Sequence, residues 1–361
     1  PAAAGPAALG QGRASGTPPP RIAPTAASKQ TAAQRAKRTS RAASARKDAM
    51  RKATPAAASV PSIPTLSRVL AMASAAARTQ RRSSAEDAEL GAEYAADGLR
   101  RLLQQERRRP PLPGHIVGAD LSAEMRAILV DWLVEVHLEY GMKRETLFLA
   151  VSILDRYMCS TASPIPRERL QLCGITALLI AAKFEEIEPL DVRIAAELTD
   201  GAYAAKDVLQ TECMMLRALE FDIACPTPAH FMPLLQVVSR VHRKLDYGLY
   251  SFFSFGSAKV GELCDELASF LTELSLLEVG FTKHLPSMIA SAAVFISNRA
   301  FGRSPAWPST LEDFSGHSEH ALLPVAKDLA QLLRASPERS LQQVQGKFPA
   351  VAALATRLTS L

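Results

Sequence analysis

The sequence has few cysteines and none of the motifs that hold a zinc ion or a disulfide framework. No CxxC pair occurs, and the five cysteines stand singly within apolar helical patterns: Cys159, Cys173, Cys213, Cys225 and Cys264. This pattern favours reduced thiols buried in a core. A P-loop, an HExxH motif and a nucleophile elbow are also missing. The sequence therefore predicts a protein that is not an enzyme and has no catalytic residue, metal site or cofactor.

Long hydrophobic runs are absent as well. Uncharged stretches such as Leu285 to Asn298 are too short to span a bilayer. The first residues contain no hydrophobic signal region. We therefore expect a soluble intracellular protein without a membrane partner.

Acidic residues are nearly missing from the first 85 positions. This segment holds fifteen Lys and Arg and one acid, Asp48, so its charge is +14, whereas the whole chain is +6 and the remainder is therefore −8. Almost no large apolar residue precedes Val60, so residues 1–85 are predicted to be a disordered basic tail. Clusters such as Arg35 to Arg38 would serve nuclear import or simply be solvated, and we expect a location in nucleus and cytoplasm.

Alternating strand patterns are not sustained anywhere, and helical periodicity dominates the rest of the chain. The sequence predicts an all-α fold, with a domain boundary at Pro226-Thr227-Pro228. A weak repeat links LQLCGITALLIAAKF to PSMIASAAVFISNRAF. Helices are expected near 89–107, 122–140, 144–159, 167–184, 190–199, 205–220, 228–242, 262–278, 285–300, 320–334 and 337–346.

The helix at 122–140 has two apolar stripes, more than one buried face needs. One stripe holds Met125, Ile128, Leu129, Trp132 and Val136, and the other holds Ala127, Val130, Leu133 and Val134. Arg126 projects from within the second stripe, where an unpaired charge is costly. The sequence predicts that Asp155 pairs with it in a structural ion pair.

The helix at 170–184 is apolar on every side and is predicted to be a central core helix. Lys183, at its end, is one of its few polar groups. Glu212 falls in the middle of the apolar arc of the helix at 205–220. Such a carboxylate is either covered by a cation, for which Lys183 is the candidate, or exposed at an interface.

Four segments, MRAILVDWLVEVH, LDRY, LLIAAKFEEIEP and LEFDIACPTPAHF, resemble in order and spacing the cyclin box of the mitotic A/B-type cyclins, and LLPVAKDLA favours the B-type. The resemblance implies two tandem five-helix cyclin folds, preceded by an N-terminal helix and the disordered basic tail. The expected divisions are a tail at 1–85, the N-terminal helix and turn at 86–121, the N-terminal cyclin box at 122–226, a C-terminal cyclin fold at 227–346 with an insertion near 234–251, and a tail at 347–361.

The resemblance also implies a function and its residues. The protein is expected to bind and activate a cyclin-dependent serine/threonine kinase as a heterodimer, with these kinase-binding residues: Lys183, Glu212, Phe184, Glu185, Glu186, Phe221 and Tyr94. Substrates or inhibitors carrying an Arg-x-Leu motif are expected to dock on Met125, Ile128, Leu129 and Trp132, with Glu135 and Gln171 at the polar rim. For this stripe, ordinary core packing is the alternative. The ubiquitin-ligase machinery is a further expected partner.

A second class of function remains open, that of a transcription-factor-type cyclin-fold protein that binds DNA or the transcription machinery. The basic chain favours it. Phosphate contacts, however, need Lys and Arg on the folded surface, and the part of the chain after residue 85 has a charge of −8. Nucleic acid is therefore not the expected partner.

Overall fold

The computed structural model describes residues 101–109, 111–113, 121–160, 165–246 and 257–355. All of them fall within one compact unit, Ser67–Leu361, and their regular elements are helices. The predicted basic tail at 1–85 and Tyr94 lie outside the described residues. Of the predicted helix at 89–107, residues 101–106 are described and are helical.

The first half of the fold is built around one buried helix. Its five helices are α1 (Ala123–Glu139), α2 (Arg144–Ser160), α3 (Leu170–Glu185), α4 (Val192–Glu197) and α5 (Ala205–Ala218). The side chain of Ser122 caps α1 by accepting a hydrogen bond of 3.1 Å from the main-chain N–H of Met125. Every residue of α3 from Leu172 to Ala182 is buried, and α1, α2, α4 and α5 pack around it. The predicted central core helix is confirmed.

The second half repeats this order of three long helices, one short helix and one long helix. Its members are α6 (Pro228–Asp246), α7 (Ser257–Leu276), α8 (Pro286–Ala300), α9 (Ser309–Ser315) and α10 (Glu319–Ala335). The third helix, α8, packs against α6, α7 and α10 as α3 does against its neighbours. The sequence repeat noted above therefore relates the two central helices.

The short helix α9 was not predicted, although its ends carry signals. Pro308 precedes it, and Gly316 ends it in the left-handed conformation with φ 72°. Residues 234–246, at the expected insertion, continue α6. Residues 247–251 lie outside the described residues, so the insertion stays a prediction.

The end of the described chain differs from the predicted helix at 337–346 and the predicted tail at 347–361. A 3-10 turn at Ser336–Glu338 precedes two short helices, α11 (Gln343–Lys347) and α12 (Pro349–Ala355). Val351 of α12 is fully buried. The prediction of a tail is therefore wrong for residues up to 355, because these short helices belong to the core.

Two tertiary contacts explain this difference. Asp131 of α1 accepts a hydrogen bond of 3.2 Å from the main-chain N–H of Gln343, the first residue of α11. The Phe348 ring packs against Phe270 of α7 with ring centroids 5.7 Å apart. The start of α11 is fixed by a hydrogen-bond acceptor on another helix, so its local sequence carries no signal for it.

The five cysteines are free thiols, but they are not all in the core. Cys173 and Cys264 are buried, Cys225 is half-buried, and Cys159 and Cys213 are exposed. The prediction of core thiols is wrong for the last two, because Cys159 lies in the last turn of α2 and Cys213 on the solvent side of α5. Within the described ranges, no helix combines the length and apolarity that crossing a membrane requires.

Candidate functional site

The last turn of α3 and the middle of α5 meet at an ion pair on the edge of the core. The Nζ of Lys183 donates to Oε1 of Glu212 at 2.6 Å. Glu212 is only 9% exposed, whereas the Lys183 side chain is 44% exposed. The carboxylate is thus covered by a cation that itself stays accessible to a partner.

Large apolar side chains near this pair in sequence remain open to solvent. Phe184 is 53% exposed, Phe221 is 69% exposed and Ile187 is 92% exposed. Such groups are typical of interaction surfaces where they form one contiguous patch. Ile187 was not among the predicted site residues, although it lies inside the segment LLIAAKFEEIEP.

The backbone that presents Phe221 is strained. Glu220 and Phe221 both have left-handed backbone conformations, with φ of 52° and 59°, which cost free energy in residues other than glycine. The N–H of Phe221 donates to the oxygen of Leu216 at 2.8 Å. Asp222 then anchors the loop, since its carboxylate accepts from Arg109 and its main-chain oxygen accepts from Arg156 at 2.7 Å.

Two of the predicted kinase-binding carboxylates already have partners within the chain. Glu186 accepts hydrogen bonds from the N–H of Lys143, at 2.7 Å, and from the hydroxyl of Thr146, so it satisfies donors at the start of α2. Glu185 lies 3.7 Å from Nε2 of His230. Their role in kinase binding stays a prediction.

The predicted docking stripe on α1 is partly exposed. Ile128 is 54% exposed and Glu135 is exposed, while Met125, Trp132 and Gln171 are half-buried. Leu129 differs, because it is buried against Gly174 of α3: a Cβ added at Gly174 would lie 2.7 Å from Cδ1 of Leu129. Leu129 therefore belongs to the α1–α3 packing, and Ile128 is the accessible apolar residue of the stripe.

Both halves of the chain match known protein families. The family description "Cyclin, N-terminal domain" matches residues 97–224, and "Cyclin, C-terminal domain" matches residues 226–354. The chain belongs to the cyclin family. The expected mitotic A/B-type resemblance and the two tandem cyclin folds are confirmed.

Several relatives are similar over most of the described chain. The chain is 32% identical over 266 residues to G2/mitotic-specific cyclin-B of Marthasterias glacialis, covering 73% of this chain and 62% of that protein. It is 37% identical over 260 residues to cyclin-A1 of Mus musculus, covering 72% and 56%. The chain thus spans about three fifths of the length of these relatives. Both types occur among them, so the preference for the B-type stays a prediction.

A solved structure shares the fold. The X-ray structure of a viral cyclin from herpesvirus saimiri superposes with a TM-score of 0.50 at 18% identity, covering 65% of this chain and 97% of that one. At this identity the likeness concerns the fold alone.

The first cyclin fold contains the predicted buried pair. Nε and Nη2 of Arg126 donate to the two carboxylate oxygens of Asp155 at 2.6 and 2.7 Å. Burial opposes the charge of Arg126, but the attraction of Asp155 and Glu278 and the hydrogen bonds to Asp155 together outweigh it, so the pKa of Arg126 is raised. The geometry agrees with a structural role, since Arg126 is 1% exposed.

Two further polar clusters join the cyclin folds, and the sequence reasoning missed both. Glu273 of α7 is fully buried, and its carboxylate accepts from Nε of Arg144 at 2.9 Å and from Nζ of Lys347 at 2.8 and 2.9 Å. Near the start of the described chain, Glu106 accepts a 3.0 Å hydrogen bond from the N–H of Ser287, in the first turn of α8. Burial raises the pKa of Glu106, against the effect of its bonds to Ser287.

Proposed function

We propose that this protein binds and activates a cyclin-dependent serine/threonine kinase and so controls progression through S, G2 and M phases. The Lys183–Glu212 pair is the observation that carries this proposal. Glu212 is desolvated within an apolar arc, its covering cation is 44% exposed, and Phe184 beside it is also exposed. A surface of this kind suits a partner that supplies both apolar contact and hydrogen bonds.

We expect this chain to activate the kinase by binding alone and to carry out no chemical step itself. A kinase is active when its mobile helix lies inward, so that its catalytic Lys–Glu pair forms, and when its activation loop has moved aside. A partner that binds only this arrangement raises its population in proportion to the difference in affinity for the two states. In this proposal Lys183, Glu212, Phe184 and Phe221 hold that helix, and Tyr94, Glu185 and Glu186 add contacts.

Substrate docking is a second part of the proposal. The stripe of Met125, Ile128 and Trp132 lies on α1, and Glu135 of α1 and Gln171 of α3 are its predicted polar rim. An apolar stripe with an acidic neighbour suits a peptide with one cation and one leucine, as in Arg-x-Leu substrates or inhibitors. We further propose that the complex acts in nucleus and cytoplasm and is removed through the ubiquitin-ligase machinery.

The test is a binding and activation assay with the cyclin-dependent kinases of the source organism. Lys183→Ala and Glu212→Ala should each weaken kinase binding by about 2 to 5 kcal/mol, which is at least about 30-fold in Kd, and should lower phosphorylation of a histone-type substrate. The melting temperature should change little in Glu212→Ala, whereas Lys183→Ala leaves the 9% exposed Glu212 without its cation and should lower it. Lys206→Ala, an exposed lysine of α5, is the matched control. Wild-type affinity from both variants, or no activation of any kinase by the wild-type protein, would sink the proposal.

A further inference from the structure

The predicted basic tail carries one short apolar cluster near its end. Residues 1–59 contain three large apolar side chains, whereas residues 60–72 contain six: Val60, Ile63, Leu66, Val69, Leu70 and Met72. The cluster has no acidic residue and one arginine, Arg68. A segment of this composition has apolar surface to bury, which the rest of the tail lacks.

The arginine of this cluster begins an Arg-x-Leu sequence, Arg68-Val69-Leu70. None of the other arginines among residues 1–99 has a leucine two positions later. Side chains two positions apart share one side of an extended segment, so Arg68, Leu70 and Met72 can present one cation and two apolar groups to the same surface. The stripe on α1 is proposed above to bind peptides of this pattern.

The surface of α1 around Ile128 complements the charge of this segment. Ile128 is 54% exposed, and Glu124, one turn before it, and Glu135, two turns after it, are exposed on the same side. The helix contains one arginine and no lysine, and that arginine, Arg126, is 1% exposed. Residues 60–82 contain four arginines and no acidic residue. Electrostatic attraction therefore favours contact between the two.

The connecting chain is long enough for this contact. Thirty residues, 71–100, separate Leu70 from Arg101, where the described part of the chain begins. With residues 89–100 counted as part of the predicted helix, the residues from 71 to 88 still span up to about 60 Å. A compact body of about 250 residues is roughly 45 Å across, from a radius of gyration of about 18 Å. A tether of this length can bring the segment to α1.

We propose that residues 68–72 dock on the α1 stripe of the same chain and compete there with Arg-x-Leu substrates. This role rests on the proposed docking function of the stripe and adds a regulator to it. Leu70 then contacts Ile128, and Arg68 lies beside the carboxylates of α1. A short tether gives an effective concentration of about 1 mM, at which a segment with a Kd of about 0.3 mM weakens a competing peptide about four-fold. Substrates with weak motifs are thereby excluded from docking.

A peptide of residues 64–74, PTLSRVLAMAS, tests this competition on the full chain. Its Kd is measured by fluorescence anisotropy for the wild-type chain and for a displaced variant, Leu70→Ser with Ser74→Leu. This variant keeps the charge and composition of the tail but has no leucine two positions after Arg68. The peptide should bind the displaced variant at least about three-fold tighter, because the stripe of the wild-type chain is already occupied. Equal affinities would overturn the proposal.

One added charge locates the binding surface. Ile128→Lys, at an exposed position, removes the apolar contact and repels Arg68 of the peptide. In the displaced variant it should weaken peptide binding at least about ten-fold. Leu323→Lys, at an exposed leucine of α10, adds the same charge elsewhere and should leave binding unchanged. Undiminished binding in Ile128→Lys would place the peptide on another surface and overturn the proposal.

A photo-crosslink shows whether the contact forms within one chain. The amino acid p-benzoylphenylalanine in place of Glu124, one turn before Ile128, should attach to residues 60–72 of the same chain. Attachment between two chains would make the occupant a second copy, and attachment to other residues alone would exclude this segment; either result overturns the proposal. An external Arg-x-Leu substrate peptide separates the two proposals. If it binds the stripe and the peptide of residues 64–74 does not, substrate docking stands and docking of the tail is wrong; if neither binds, both are wrong.

Discussion

Nη1 of Arg126 donates a hydrogen bond of 2.8 Å to the main-chain oxygen of Leu276. Arg126 is on the first helix of the first cyclin fold, and Leu276 is the last residue of α7 in the second. Because its other two nitrogens, Nε and Nη2, donate to Asp155, one guanidinium connects a carboxylate of one fold with a helix-end carbonyl of the other. The pair is thus an inter-fold connection as well as a lock between α1 and α2.

Arg126→Ala should destabilise the protein strongly. It would leave Asp155, which is 5% exposed, as a buried and unpaired charge, at a cost of about 3 to 5 kcal/mol. Urea unfolding measures this cost, and Arg169→Ala, an exposed arginine, should change stability by less than about 0.5 kcal/mol. Replacing both partners, as Arg126→Met with Asp155→Leu, should recover part of the loss. A wild-type unfolding curve together with lost kinase binding would mean that Arg126 lies at the kinase interface.

Gly174 and Leu129 should show strong energetic coupling. Gly174→Ala puts a methyl group 2.7 Å from Cδ1 of Leu129, so α1 or the Leu129 side chain must move, at about 1 to 3 kcal/mol. Leu129→Ala alone should cost about 2 to 5 kcal/mol through the cavity that it leaves. In the Leu129→Ala background the same Gly174→Ala change should stabilise by up to about 1 kcal/mol, since alanine is the better helix former. Additive free energies in this double-mutant cycle would contradict the described packing.

The docking stripe predicts a phenotype that depends on the substrate. Ile128→Ala with Trp132→Ala should lower kcat/KM for an Arg-x-Leu substrate about 100-fold or more, because burial of apolar side chains of this size contributes about 1.5 to 3 kcal/mol each and about 2.8 kcal/mol corresponds to 100-fold. Phosphorylation of a short peptide without the motif should be unchanged. Leu323→Ala, at an exposed leucine of α10, is the control. Leu129 is left intact, since its truncation would affect the core. Equal losses on both substrates would argue against a docking role.

His137 predicts a loss of stability in mild acid. Its Nε2 donates to the oxygen of Lys143 at 3.1 Å, so Nδ1 carries the lone pair, and Nδ1 is buried without a partner. Burial, and then the nearby charge of Lys347, lower the pKa of His137 below its ordinary value of 6.5. The folded state therefore binds fewer protons than the unfolded state, and the stability present above pH 6.5 is lost as the pH falls below it.

The measurement is urea unfolding between pH 7.5 and 5. His137→Gln can still donate to Lys143, and it should flatten the slope of unfolding free energy against pH by up to about 1.4 kcal/mol per pH unit, the value for one proton. Burial also lowers the pKa values of His284 and His317, so some slope should remain. His320→Gln, at an exposed histidine, should leave the slope as it is. An unchanged slope in His137→Gln would show that this histidine is not a source of the acid sensitivity.

Local sequence patterns predicted the parts of the fold that depend on the side chains of one or two helices. The all-round apolarity of α3 marked it as central, and a charge within an apolar stripe required a carboxylate such as Asp155. The hydrogen bond from Arg126 to Leu276 could not be predicted, because its acceptor is a main-chain oxygen, which every residue type has. The exposure of Leu129 was misjudged for a related reason: only the position of Gly174 in space shows that α3 approaches there. Glu273 and Lys347 are far apart in sequence, and neither carries a local signal of its partner.

The contact between Asp131 and Gln343 has a consequence for the protein while it is being made. The two residues are 212 positions apart, and at typical rates of about 5 to 20 residues per second the ribosome needs roughly 10 to 40 s to add the second after the first. The first cyclin fold therefore leaves the ribosome with its α1 surface still uncovered, and Glu273 emerges before its cation Lys347. The nascent chain must pass through this incomplete state, in which the surface that α11 finally covers is open to solvent and to other chains.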